Sequence, residues 1–199
     1  MSERALGGRL PLLAPADLAP AQSRLYEEIV APPRGTGPFL VVDSRGLLAG
    51  PFNALIYSPI IGQAVQALGS ALRFGGALPD RTRELLVCLV AAEARCPYEW
   101  YAHSRVAATV GVTTAELNAL SAGAVPDTVS AAEASVLRLV LALVREGAVG
   151  PAIYADALAH HGRSGLVEAT TLVGYYQLLA SLLIVFDVPA PAGSKEALS

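Results

Sequence analysis

Apolar residues recur along this chain at intervals of three and four, and nowhere do they alternate with period two over a useful length. The pattern therefore predicts helices throughout. Leu25, Tyr26, Ile29 and Val30 share one face of a helix over 20–31 that Pro32-Pro33 ends. A short helix follows at 51–57. Ser58 then caps a helix that starts at Pro59 and runs to 74, where Gly75-Gly76 stops it. Pro79-Asp80 opens a helix over 79–94 with Leu85, Leu86, Cys88, Leu89 and Ala92 on its buried side, and Pro97 opens another over 97–110. Thr113 and Glu116 have capping-box spacing before a short helix ending near 122, and Ser130 and Glu133 repeat it before a long helix ending at Gly147. Two more helices, 151–161 and 164–187, are separated by Gly162 and closed by Pro189-Ala190-Pro191. The predicted class is all-α.

Outside the periodic segments, residues 1–20 are proline-punctuated and read as an extended arm that lies across a neighbouring surface. Residues 21–188 form one helical domain, and 189–199 are a C-terminal tail. The Gly-rich stretch 34–50, with Phe39-Leu40-Val41-Val42 and Leu47-Leu48, reads as a long loop of the kind that carries function.

Composition adds a second expectation. Apolar residues make up 53% and charged residues 16% of the 199, against roughly 45–50% and about 25% in ordinary domains. The excess apolar surface needs a membrane or other copies of the chain to cover it. The best membrane candidate, 171–186, contains Gly174, Tyr175, Tyr176, Gln177 and Ser181 and falls short of the roughly 20 apolar residues of a span. An oligomer is expected, without a membrane. Residues 1–8 carry Glu3 and Arg4 and no apolar run resembling a secretion signal, which points to the cytoplasm. A net charge of −3 with scattered basic residues argues against nucleic acid. Cys88 and Cys96 are expected as free thiols, Cys88 as a core residue.

Candidate chemistry is concentrated in 83–103. Pro97 at the first helical position makes Cys96 the N-cap, where backbone N–H groups and the helix dipole would lower a thiol pKa. Glu99 stands three residues on, placed to fold back to the cap N–H, and its charge opposes a thiolate. His103 lies four residues beyond Glu99 and seven beyond Cys96, so the three share one helical face. An antiparallel helix pair turning near Ala94-Arg95 would bring Glu84 alongside. Arg83 points about 100° away from Glu84 and is expected in an ion pair or subunit contact. His160 and His161 read as solvated residues near a helix end. Three histidines without a clustered ligand set predict no metal.

The order Arg-Glu, eleven residues, Cys, two residues, Glu, three residues, His resembles the carboxymuconolactone decarboxylase and alkylhydroperoxidase D superfamily. The resemblance extends over about 10–188, including Gly50-Pro51-Phe52-Asn53 and Gly174-Tyr175-Tyr176. It implies an AhpD-like helical bundle that assembles as a trimer or hexamer. In the peroxidase branch the motif holds Cys-x-x-Cys. Here Glu99 stands at the second cysteine, so the decarboxylase-like branch fits better.

The implied function is cofactor-independent acid/base chemistry on a small organic acid, lactone or enol in an apolar pocket. His103, Glu84, Glu99 and Cys96 are the catalytic candidates. Tyr98, Trp100, Asn53 and Tyr57 are expected to bind the small-molecule substrate. A single-cysteine thiol peroxidase and a non-catalytic oligomeric ligand-binding protein are the alternatives.

Overall fold

The structure, a computed structural model, describes residues 7–36 and 39–191. Residues 1–6 of the arm and 192–199 of the tail lie outside the described residues. Among the described residues eight α-helices run in order: α1 (Pro20–Val30), α2 (Pro51–Ile56), α3 (Pro59–Ser70), α4 (Asp80–Glu93), α5 (Pro97–Thr109), α6 (Thr114–Ser121), α7 (Ala131–Glu146) and α8 (Pro151–Val185). Among the described residues the only β pairing is a single bridge between Val42 and Leu48.

The helix ends follow the local chemistry of the chain. Proline in the first turn opens α1, α2, α3, α5 and α8, where its missing N–H costs nothing. Hydroxyl caps with reciprocal glutamates open α6 and α7. Gly147 ends α7 in the left-handed region at φ 66°, which a residue with a Cβ enters only at a cost.

Helix α4 is the axis of the fold. Thr82 through Ala91 are all buried, so this helix has no solvent face and must be surrounded. It packs against α5, α6, α7 and α8, while α1, α2 and α3 form a second layer that reaches α8. Arg81 ties the base of α4 to two neighbours. Its guanidinium donates to Glu116 at 2.6 Å and Glu133 at 2.9 Å, the first-turn glutamates of α6 and α7.

Two expectations are modified by the structure and one is met. The helix read over 59–74 is α-helical only to Ser70 and continues as a wide π-turn over Ala71–Gly75, with Leu72 turned into the core. The helices read as 151–161 and 164–187 are separated where expected: within α8 the backbone leaves helical geometry at Gly162 (φ 62°, ψ 179°), which kinks the element into two helical segments. The arm lies on its own chain: Arg9 N–H donates to Phe186 O at 2.6 Å, and Pro11 O accepts from Asn53 and Tyr57. Helix α8 is long and apolar enough to cross a membrane by length and composition, yet Leu166, Ala169, Leu172, Val173 and Leu179 are buried in the core.

Candidate active site

Helices α4 and α5 form an antiparallel pair joined by a turn in which Arg95 takes a left-handed conformation (φ 48°). The turn brings Glu84 against His103. Glu84 Oε2 is 2.7 Å from His103 Nδ1, and Glu99 Oε2 is 3.6 Å from His103 Nε2. All three are closed off from solvent, with Glu84 at 1%, Glu99 at 3% and His103 at 4% exposure. A carboxylate against Nδ1 holds a proton there, which turns Nε2 toward Glu99 and the pocket. Arg83 braces Glu84 from behind. Its Nε is 3.8 Å from Glu84 Oε1 and its Nη2 donates to Asp80 at 2.8 Å, the ion pairing expected of it.

Glu99 does not fold back on its helix cap. Cys96 N–H already donates to Ala91 O at 3.0 Å in the tight turn, and no capping box closes on α5. The Glu99 carboxyl is therefore left in the interior. Burial pushes its pKa up to about 7, with the Glu84 charge adding to the rise and His103 opposing it. A carboxyl poised there exchanges a proton near neutrality.

The pocket beside His103 is walled by Phe39, Phe52, Tyr98, Tyr175, Tyr176 and Leu179, with Arg34 and Arg73 also facing it. The Tyr176 ring meets His103 edge-on at 4.9 Å between centroids, and Phe39 lies 6.0 Å from it. Free space inside is about 20 Å³, room for roughly one water, so a substrate must displace side chains at the mouth, where Phe39 and Arg73 are only half-buried. Two glycines make room for the tyrosines. A Cβ on Gly50 would run into the Tyr98 ring, and one on Gly69 into the Tyr175 hydroxyl. Gly50 also sits at φ 61°.

The candidate residues separate into four places. Glu99, His103 and Tyr98 line the pocket, and Glu84 stands behind His103. Cys96 is also buried, but it packs with Tyr98, Ala180 and Leu183 beside the end of α8 and is not a wall of the pocket. Burial and the neighbouring Glu99 charge push its thiol up to about 12, against the pull of the Glu99 and Tyr98 amides. Trp100 belongs to the main core. Asn53 and Tyr57 donate to Pro11 O at 3.2 and 2.7 Å and so fasten the arm. Helical spacing placed Cys96 on the right face, but its position about two turns before His103 puts it under a different neighbour.

Sequence reasoning passed over Arg34, Phe39, Arg73, Tyr175 and Tyr176. The only signal for them was indirect. Phe39 stood in the long loop, and the tyrosines form a polar interruption in an otherwise apolar run. Among the described residues, no group of three or more His, Cys, Asp or Glu is arranged to hold a metal ion.

Residues 59–142 match the profile of the Carboxymuconolactone decarboxylase family. Among solved structures the chain is similar to the alkylhydroperoxidase AhpD core protein from Ralstonia eutropha JMP134, with TM-score 0.74, 16% identity and 94% of each chain covered. The central segment of the chain is thus similar to the carboxymuconolactone decarboxylase family, and its fold is AhpD-like. An uncharacterized peroxidase-related protein from Silicibacter sp. TM1040 superposes over 100% of both chains, with TM-score 0.74 and 16% identity. The debrominase Bmp8 covers 94% of each chain, with TM-score 0.72 and 15% identity. At these identities the likeness concerns the fold. A search of the curated proteins finds no match. The matched segment 59–142 contains Glu84, Cys96, Glu99 and His103, whereas Arg34, Phe39 and the two tyrosines lie outside it.

Proposed function

We propose that the chain is a cofactor-independent acid/base enzyme acting on a small organic acid, lactone or enol, by decarboxylation or a related isomerisation or dehydration. The observation that supports this reading is the buried Glu84–His103–Glu99 string at 2.7 and 3.6 Å, which ends at an aromatic-walled pocket. In the decarboxylation of a β-keto or vinylogous acid, the bond from carbon to the carboxylate breaks and its electron pair passes into the conjugated carbonyl as an enolate. Carbon dioxide leaves, and the carbon then takes a proton. His103 Nε2 or the protonated Glu99 is the donor, and Glu84 steadies the imidazolium that forms between turnovers. Isomerisation and dehydration use the same pair, one group taking a proton and the other returning it.

The thiol alternative has less support. A peroxidatic cysteine must reach its thiolate form and meet its oxidant, whereas Cys96 is buried, held up to about 12, and set away from the pocket. Self-association as a trimer or hexamer belongs to the same proposal. Ile60 and Ile61 on α3 and Val167, Ile184 and Val185 on α8 are more than half exposed, and a partner copy would cover them.

A panel of β-keto, vinylogous and lactone acids, followed by carbon dioxide release and ultraviolet absorbance, tests the function. Turnover of at least one member is expected, with loss in His103→Ala and Glu84→Gln. Unchanged turnover in both variants would sink the acid/base reading.

A further inference from the structure

Two guanidinium groups face the pocket with no acidic partner among the described residues. Arg34, in the short 3₁₀ turn Arg34–Thr36, is 6% exposed. Its Nε has no hydrogen-bond partner, and its Nη2 reaches only Ser70 Oγ, at 3.5 Å. Arg73, half-buried on the π-turn after α3, lines the same pocket. Neither forms an ion pair with a carboxylate among the described residues, although Arg45, Arg81, Arg83, Arg138 and Arg145 all do. The two cations are close enough to repel each other, and burial together with that repulsion lowers the Arg34 pKa. Aromatic rings hold them in place. Arg34 lies 5.4 Å from the Phe52 centroid and 6.0 Å from Phe74, and Arg73 lies 5.2 Å from Phe39 and 5.6 Å from Phe74.

Taking a guanidinium out of water without a counter-charge is costly. Ring stacking returns only a small part of that cost. A chain with few charges that aims two unpaired cations at one small pocket has an anion subsite there.

We infer that Arg34 and Arg73 bind the carboxylate of the substrate, as a handle distinct from the reacting carbon. The planar fork of arginine matches a carboxylate with two parallel N–H donors, and Arg34 Nε is free to supply one of them. The rings of Phe39, Phe52, Tyr98 and Tyr176 would then sandwich a flat unsaturated body. This body lies between the cationic end and the Glu99–His103 end, which is acidic. The carboxylate held by the arginines is not the group that leaves, because two guanidiniums stabilise that anion and oppose its loss as carbon dioxide. The assignment rests on the proposed function for the word substrate. It narrows that reading to acids with a carboxylate on a flat apolar frame. Arg34 and Arg73 are binding residues, and neither takes part in proton transfer.

Isothermal titration of the full-length protein with sorbate and benzoate, and with their primary amides as neutral isosteres, tests the subsite. The acids should bind about ten- to hundredfold more tightly than the amides, with an advantage that shrinks as salt is raised. Arg73→Met, at a half-buried position that tolerates truncation, should abolish most of that preference while leaving amide binding alone. Arg34→Met should do the same. Arg34→Lys, which keeps the charge and loses the fork, should retain part of it, so a folding defect in one variant does not shield the idea. Equal binding of acids and amides, no binding of either acid, or a preference that survives both methionine variants overturns the subsite. An arginine-dependent acid preference alongside turnover unaffected by His103→Ala removes the acid/base reading and leaves the subsite standing. Turnover that needs His103 without any acid preference does the reverse.

Discussion

Three glutamates occupy the same position, the third residue of a helix, and meet opposite fates. Glu116 on α6 and Glu133 on α7 fold back to the N–H groups of Thr113 and Ser130, at 2.8 and 2.9 Å, and both pair with Arg81. Hydrogen bonding to Arg81 brings the Glu116 carboxyl down to about 2. Glu99 on α5 finds its cap N–H already donated to Ala91 O and its nearest polar neighbours to be His103 and another carboxylate, so burial carries it up to about 7. The register within the helix is the same in all three, but Thr113 and Ser130 offer cap hydroxyls where α5 has Cys96. A tight turn on one side and an arginine on the other decide which carboxyl is held ionised and which is left to exchange a proton near neutrality.

The difference can be broken most forcefully at the reactive end. His103→Ala should lower turnover of a responsive acid by about 10²–10⁴-fold while the thermal midpoint stays near that of the parent protein. A large fall in the midpoint would mean that the string serves packing rather than chemistry. At the structural end, Arg81→Met leaves Glu116 and Glu133 without their cation and should cost about 3 kcal/mol in denaturant unfolding, with the pocket chemistry intact below the transition. A loss under about 0.5 kcal/mol, the scale of an exposed pair, would make the network a surface feature.

A pH comparison separates the two carboxyls by sign. The folded pKa of Glu99, about 7, lies above its ordinary value of 4.5, so its favourable contribution is complete below 4.5 and drains away as pH rises to 7. Above that, ionised Glu99 costs about 3 kcal/mol, and Glu99→Gln should be more stable than the parent by up to that amount, the gain vanishing toward pH 4. Glu116 behaves oppositely, its contribution present above 4.5 and lost as pH falls toward about 2. Stability of Glu99→Gln that tracks the parent across pH would show that Glu99 is not desolvated. The smallest effect is expected at the cap. Cys96→Ser should leave turnover unchanged, and loss of activity there would return the sulfur to the chemistry.

Much of this was legible before folding. Proline and glycine punctuation located the helices because these residues act through their own backbone, and the Glu84, Glu99 and His103 set followed from spacing on two helices and one turn. Asn53 and Tyr57 were misplaced because nothing in their neighbourhood showed that residue 11 would pass over them. Arg34 and Arg73 were invisible for the same reason. Each is an isolated basic residue in sequence, and only the packing of the second layer onto α8 turns both toward His103.

What the chain by itself determined is the set of helices, their caps, and the proximity of Glu84 to His103, all of which depend on contacts within a few turns. The tertiary structure decided which of those groups keeps a proton, which thiol is silenced, and where an anion is welcome. Those properties depend on desolvation and on charges brought from distant positions, and neither has a local signature in sequence.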